Sequence, residues 1–454
     1  MKKIFRKITL VLIFTLLFLS ATELWARAGG GGGGHSGGGH SGGYGGGYSG
    51  GVFYGGGGES SGSINFVVIA IIIIVILWNI HSRSNSVSSK NSWQPEPHET
   101  SLDIAVVNKI NLAFSTIQKS WSEKRLDLMR RFITDGVYQR FHAQFTMMNL
   151  LDQTDVMSNV RIENISLASQ RTDGHYEVLD VRITAFAEDQ FVSEKFPHLD
   201  SPGGGETFSE YWSFIRRVDY KKGADIYNSE LCPKCAAPLK SKLVETAQCP
   251  YCFTYLNNGE YDWVLAEIIQ EDDYTGPSTV IVAPEIAARL PDFSIKLIED
   301  RASNAFMQIL IASAEKKEAP LVRFSSPRAL AEIQMLMQQM NFLYDRLFLD
   351  AVNVIGCAIE NDWCQVNVSL RFSFRRVQLQ GQKANLLDEE IVTDTRQLTL
   401  VRHLSGTVSK GSVYANSCSH CGAAQKDSLS SVCAYCNQPL NDPNTEWIVD
   451  QIST

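Results

Sequence analysis

The sequence predicts an α+β protein made of two tandem domains, each with helices first and an antiparallel sheet after, and three observations predict it. Helical periodicity gives way to strand alternation twice, in the same order. Each strand-rich stretch is interrupted by two C-x-x-C pairs, Cys232/Cys235 with Cys249/Cys252 and Cys418/Cys421 with Cys433/Cys436. Spacing ties the copies together: Arg216 to Cys232 and Arg402 to Cys418 are both 16 positions, and Cys252 to Trp263 and Cys436 to Trp447 are both 11. One unit stands duplicated. Helices followed by strands favour an antiparallel sheet with helices on one face.

Taken in order, Lys2, Lys3, Arg6 and Lys7 precede the apolar run from Ile8 to Leu19, and Ala26-Arg27-Ala28 closes it. That is the three-part form of a secretory signal over 1–28; an uncleaved signal anchor is the rival reading. Residues 29–63 are almost all Gly, Ser, His and Tyr, a composition that cannot bury enough surface to fold and reads as a flexible tether. Its His35 and His40 offer at most loose metal capture. Ile64 to Ile80 carries no charge and is long enough to cross a bilayer, with Trp78 at an interfacial position. Glu59 precedes this span, whereas Arg83 and Lys90 follow it, so the positive-inside rule puts the C-terminal side in the cytoplasm. A Ser/Asn/Pro-rich linker over 81–101 leads into the first domain.

The first domain is expected over 102–272. Asp103 to Trp121 shows apolar residues at helical spacing, and Ser122–Arg131 and Asp135–Leu151 read as two further helical segments. Val160–Leu167, Tyr176–Phe186, Phe208–Arg216 and Trp263–Ile269 alternate as half-buried strands. The second domain, over 285–454, repeats the order: Ala305-Phe306 echoes Ala113-Phe114, and Arg323-Phe324 echoes Arg131-Phe132. Ala329–Phe342 reads as a helix, then Leu349–Ala358, Trp363–Phe374, Arg396–Arg402 and Trp447–Ile452 as strands.

The eight cysteines sit at zinc-ribbon spacing, over 230–256 and 416–440. Two tight turns aim four thiolates at one tetrahedral centre and leave no open position, so two structural Zn2+ ions are expected. Thiolate–zinc sites need a compartment that keeps thiols reduced, which agrees with the cytoplasmic placement. A redox role is disfavoured because neither pair opens a helix. His420, inside Cys418-x-x-Cys421, is read as exposed, and Cys357 and Cys364 as small buried apolar residues or free thiols flanking a turn.

The pattern Trp212-x-Phe214-x-Arg216 on one strand, an insertion, then Trp263-x-Leu265-x-x-Ile268-x-Gln270 resembles the Tim-forty-four-like domain, over roughly residues 100–270. With its signal, glycine tract, span and ribbon, the chain looks like the bacterial membrane-anchored zinc-ribbon transport members of that family. The resemblance implies a cone-shaped fold related to nuclear transport factor two and the cystatins, with an apolar pocket between sheet and helices. It also implies membrane association and protein tethering, and it carries no agreed catalytic residues. The second copy departs: Leu398 and Leu400 replace the tryptophan and phenylalanine, and the final glutamine is missing.

Trp212, Phe214 and Trp263 alternate for one sheet face, either as core packing or as the wall of a lipid- or peptide-binding pocket. Arg216, Arg217, Lys221 and Lys222 form a basic cluster at a strand end, either simply solvated or meeting anionic headgroups. The net charge of −8 argues against a general nucleic-acid binder. The motifs H-E-x-x-H, G-x-x-x-x-G-K-[ST] and G-x-S-x-G are not present. The function expected is a tether or adaptor on the cytoplasmic face of the inner membrane, contacting lipid and a protein partner. An enzyme using the pocket of the first domain, and a ribbon-mediated nucleic-acid binder, are the alternatives.

Overall fold

Asp103 opens helix α1 (Ile104–Ser122), its carboxylate accepting from the Ala105 amide at 2.8 Å. The computed structural model describes residues 102–239, 247–406, 418, 420–423 and 430–453. The expected signal, glycine tract, span and linker over 1–101 lie outside the described residues, and no described helix is long and apolar enough to cross a membrane. Ile110, Phe114, Ile117 and Trp121 line the buried face of α1. The helical segment expected over 122–131 is instead turns around one 3-10 turn, Leu126–Leu128, because Lys124 adopts the left-handed conformation and stops α1.

Helix α2 (Asp135–Leu150), capped by Thr134, is buried almost all round. Strands β1 (Gln153–Asp173), β2 (Tyr176–Ser193), β3 (Gly204–Arg217) and β4 (Val264–Gln270) then form an antiparallel sheet in the order β1-β2-β3-β4. The strands outrun their sequence patterns, β1 most of all. Register shifts between Ser158 and Asn164 and again at Leu167 break the alternation that would have revealed its full length.

The second half begins with two helices that the periodicity did not delimit, α3 (Pro284–Arg289) and α4 (Ile295–Glu315), followed by α5 (Pro327–Gln339). Its sheet comprises β5 (Leu343–Glu360), β6 (Trp363–Gln380), β8 (Val392–His403) and β9 (Ile448–Ser453), in the order β5-β6-β8-β9, with the short β7 (Lys383–Leu386) beside β6. Asn361 and Asp362 both take positive φ, as the two-residue β5–β6 turn requires. The chain is thus mixed α+β with two antiparallel sheets of matching strand order. Correspondence extends to backbone detail. Phe132 and Thr134 exchange hydrogen bonds with Leu265 of β4, and Phe324 and Ser326 do the same with Val449 of β9.

The two halves belong to one compact unit. Helix α2 joins them: Val137, Phe141, Phe145 and Met148 enter the first core, while Ala143 and Met147 enter the second. At the crossing with α4, a Cβ on Gly136 would lie 2.1 Å from Asp300 Oδ1 and 2.5 Å from the Asp300 carbonyl oxygen. Glycine-to-alanine changes inside helices ordinarily stabilise by about 1 kcal/mol. Here the sign reverses: Gly136→Ala should destabilise by about 1–3 kcal/mol in urea unfolding, because the clash is with backbone as well as side chain. Unchanged or increased stability would show that the helices do not cross so closely.

Candidate metal centres

Each ribbon is inserted between the last two strands of its sheet, between β3 and β4 and between β8 and β9. Strands β3 and β4 stay paired up to Ile215 and Val264, so the first ribbon caps a hairpin. Four copies of one turn build the centres. Each leading cysteine (Cys232, Cys249, Cys418, Cys433) accepts at its carbonyl from the amide four residues on, and its own amide donates to the carbonyl five residues on. The residue after each second cysteine, Ala236, Phe253, Gly422 or Asn437, takes positive φ. Only one of those four is glycine, and left-handed backbone costs the other types roughly 1 kcal/mol each.

The eight expected ligands fall into two groups as the spacing required, the four sulfurs of each lying within 4.8 Å of one another. Opposed sulfurs are 3.6 Å apart for Cys232 and Cys252, 3.8 Å for Cys235 and Cys249, 3.5 Å for Cys418 and Cys436, and 3.7 Å for Cys421 and Cys433. A tetrahedron with metal–sulfur bonds of about 2.3 Å has edges of about 3.8 Å, so the cages fit one ion each; disulfides, at about 2.05 Å, do not fit these separations. In both ribbons the leading cysteine of each pair is buried and the following one more open. His420 is half-buried and pairs with Asp442 at 3.2 Å rather than entering the sulfur cage.

The first ribbon is tied down by Arg131, which donates to the Ser229 and Tyr227 carbonyls, and by Asn257, which donates to Ile133 and Asp135. Tyr255 Oη donates to the Gly422 carbonyl at 3.4 Å, so the two ribbons touch. That juxtaposition had no sequence signal, since it depends on how the halves pack.

Trp212, Phe214 and Trp263 are at most 4 % exposed and belong to the first core. The residues of the family-like pattern converge on one group: Trp212 Nε1 donates to Glu210 at 2.8 Å, and Gln270 Nε2 donates to the other oxygen of the same carboxylate at 2.9 Å. The basic cluster is largely matched by acids, Arg216 with Glu177 at 2.6 Å, Arg217 with Asp219 at 2.8 Å and Lys221 with Glu260, and Arg216 also lies over the Trp263 ring. Cys364 is buried and Cys357 half-buried, and burial raises both thiols, to about 12 and about 11.

Sequence reasoning missed several buried carboxylates, because burial of a lone Asp leaves no periodic trace. Burial raises Asp155 to about 8, against a hydrogen bond from Trp121 Nε1 and with Asp189 adding to the rise. Burial likewise lifts Asp300 and Asp350 to about 7.

The chain matches no family model and no curated protein.

Two measurements check these sites. Elemental analysis should find two metal ions per chain, falling to one in Cys249→Ser/Cys252→Ser; a stoichiometry unaffected by that pair would remove the first centre. For Asp155, the folded chain holds a proton that the unfolded chain releases at about pH 4. The stability this confers is full below that pH and lost as pH rises through about 8. Asp155→Asn should therefore melt above the parent at pH 8.5, with the gap closing toward pH 5; a pH-independent gap would count against the buried neutral carboxyl.

Proposed function

We propose that the chain is a membrane-anchored tether or adaptor, its two ribbon-bearing halves arising by duplication of one Tim-forty-four-like unit with a fold related to nuclear transport factor two. The metal is Zn2+ in both cages, held by four thiolates in a structural role. An uncharged run at 64–80, with positive charge on its C-terminal flank, supports anchoring with the body at the cytoplasmic face, and four-thiolate sites suit such a reduced compartment.

The observation that carries the adaptor reading is where aromatic surface remains open. Among the described residues the exposed Phe, Tyr and Trp side chains are Tyr251, Phe253 and Tyr435, all on the second knuckle of a ribbon, and Leu231 and Val432 beside the cysteines are exposed too. Tyr251 and Tyr435 occupy the same place in their respective C-x-x-C pairs. Aromatic enrichment with few charges marks the core of a protein–protein contact rather than a phosphate-seeking surface. The partner is accordingly a protein, met by the ribbons while the anchor holds the chain at the bilayer.

Photo-crosslinking in cells tests this. A photoreactive residue placed at Tyr251 or Tyr435 should capture a discrete protein, and one at exposed Met335 on α5 should not; equal capture at all three sites would remove the ribbons as the docking surface. A reporter active only outside the cytoplasm, fused after Thr454, should stay silent, and activity there would overturn the topology.

A further inference from the structure

The groove between α1 and the edge strand β1 has an occupied counterpart in the second half. The register shifts at Ser158/Arg161, Ile162/Asn164 and Leu167/Ser169 of β1 recur at Asp345/Phe348, Leu349/Ala351 and Val354/Gly356 of β5, every position 187 further on (345 − 158). Irregularities repeated at three places superpose the two strands residue on residue. Helix α1 matches α4 in the same way through Ala113-Phe114 and Ala305-Phe306, 192 further on (305 − 113).

In the second half α2 lies across α4 and β5. Arg140 Nε donates to Ser303 Oγ at 2.7 Å, Gln144 Nε2 donates to the Leu347 carbonyl at 2.9 Å, and Ala143 and Met147 share a core with Met307 and Leu349. Gly136 allows the close crossing at Asp300. The counterparts of Ser303, Met307, Leu347 and Leu349 are Asn111, Ser115, Val160 and Ile162, and these four line an open groove of about 340 Å³ together with Phe114 and Lys119. Ser303 and Met307 are buried, whereas Asn111, Ser115 and Lys119 form an exposed stripe along α1. Among the described residues, the first half therefore has the seat without the helix.

The chain's own α5, which corresponds to α2, is unsuited to that seat. It carries Arg328 in the place of Gly136 and Gln339 in the place of Met147, so it lacks both the close crossing and the apolar contact. We propose that the groove between α1 and β1 is a docking site for an amphipathic α-helix of a partner protein, seated as α2 is seated on α4 and β5. Such a helix has small residues against α1, as Gly136 and Ala143 are against α4, and an apolar residue over Phe114, Val160 and Ile162. Ser115 and Lys119 replace Met307 and Ile311, so its α1-facing side is polar and ends on an acid. Lys119 is available to that acid, because its only printed pairing is an exposed one with Glu123 at 3.9 Å. This site does not rest on the ribbons as a docking surface, and its variants leave the ribbons untouched.

The test uses the full chain in detergent and a fluorescent synthetic helix. The probe carries Gly, Arg, Ala, Gln and Met at the spacing of Gly136, Arg140, Ala143, Gln144 and Met147, with a glutamate in its last turn. Saturable one-to-one binding is expected by fluorescence polarisation, and a scrambled peptide of the same composition should not bind. Ser115→Trp, which fills the groove from an exposed position, should weaken binding at least about tenfold with an unchanged Tm. Asn111→Trp should do the same, so the test survives if one variant folds poorly. A photoreactive residue in place of the probe's alanine should label α1 or β1. The proposal is overturned by absent binding, by equal binding of the scrambled peptide, by affinity unaffected in both folded variants, or by label on α4 or β5, where the probe would be displacing α2. In cells, a photoreactive residue at Ser115 should crosslink to a helical segment of another protein. A crosslink confined to residues 1–101 of the same chain, or to a second copy, would overturn the choice of a partner protein.

Discussion

The N-terminus of α2 is the point on which the architecture depends. Within a few residues, Thr134 hydrogen-bonds to β4, Asp135 takes Arg130 and the Asn257 amide of the first ribbon, and Gly136 lies against Asp300 of α4. One helix end thus joins a sheet, a metal-binding loop and the opposite half. A glycine is needed there because the α4 backbone occupies the volume a side chain would fill. Further along, Arg140 donates to Ser303 at 2.7 Å, continuing the seam in polar form.

That seam is unusually rich in charge. Arg171 with Asp180, Lys296 with Glu267 and Glu299, and Arg371 with Asp273 all lie at or beside it. Such pairs add little net stability over apolar packing, but leaving one member alone costs about 3–5 kcal/mol. The halves therefore meet in one register, because any slip would strand a buried charge. Asp180, beside a cavity between the halves, is matched by Arg171 and by the Tyr274 hydroxyl.

The ribbons obey a different physics. Among its described residues the second one contributes a core of Cys418, Cys433 and Leu440 with Cys436 packed against it, a small apolar cluster. Four thiolates closing on one ion would supply folding free energy and hold the left-handed residues that follow each second cysteine. Closure on a metal would also hold Tyr251 and Tyr435 outward on knuckles too small to bury them.

The sequence by itself determined most of the order of elements, the repeated spacing, the eight cysteines that come together and the strand positions of Trp212, Phe214 and Trp263. These are local facts, set by periodicity and short spacing, and physical chemistry reads them directly. It also carried the substitutions of the second copy: Leu398 and Leu400 are buried where Trp212 and Phe214 stand in the first sheet, and Arg396 precedes Leu398 by the same two positions as Glu210 precedes Trp212. Only the tertiary structure decided that Trp212 and Gln270 meet on Glu210, that α2 serves two cores, that the ribbons touch and that a charged cavity forms where the halves join. Each of those depends on contacts between residues far apart in the chain, and burial of a lone carboxylate or the approach of two loops leaves no mark in the local pattern.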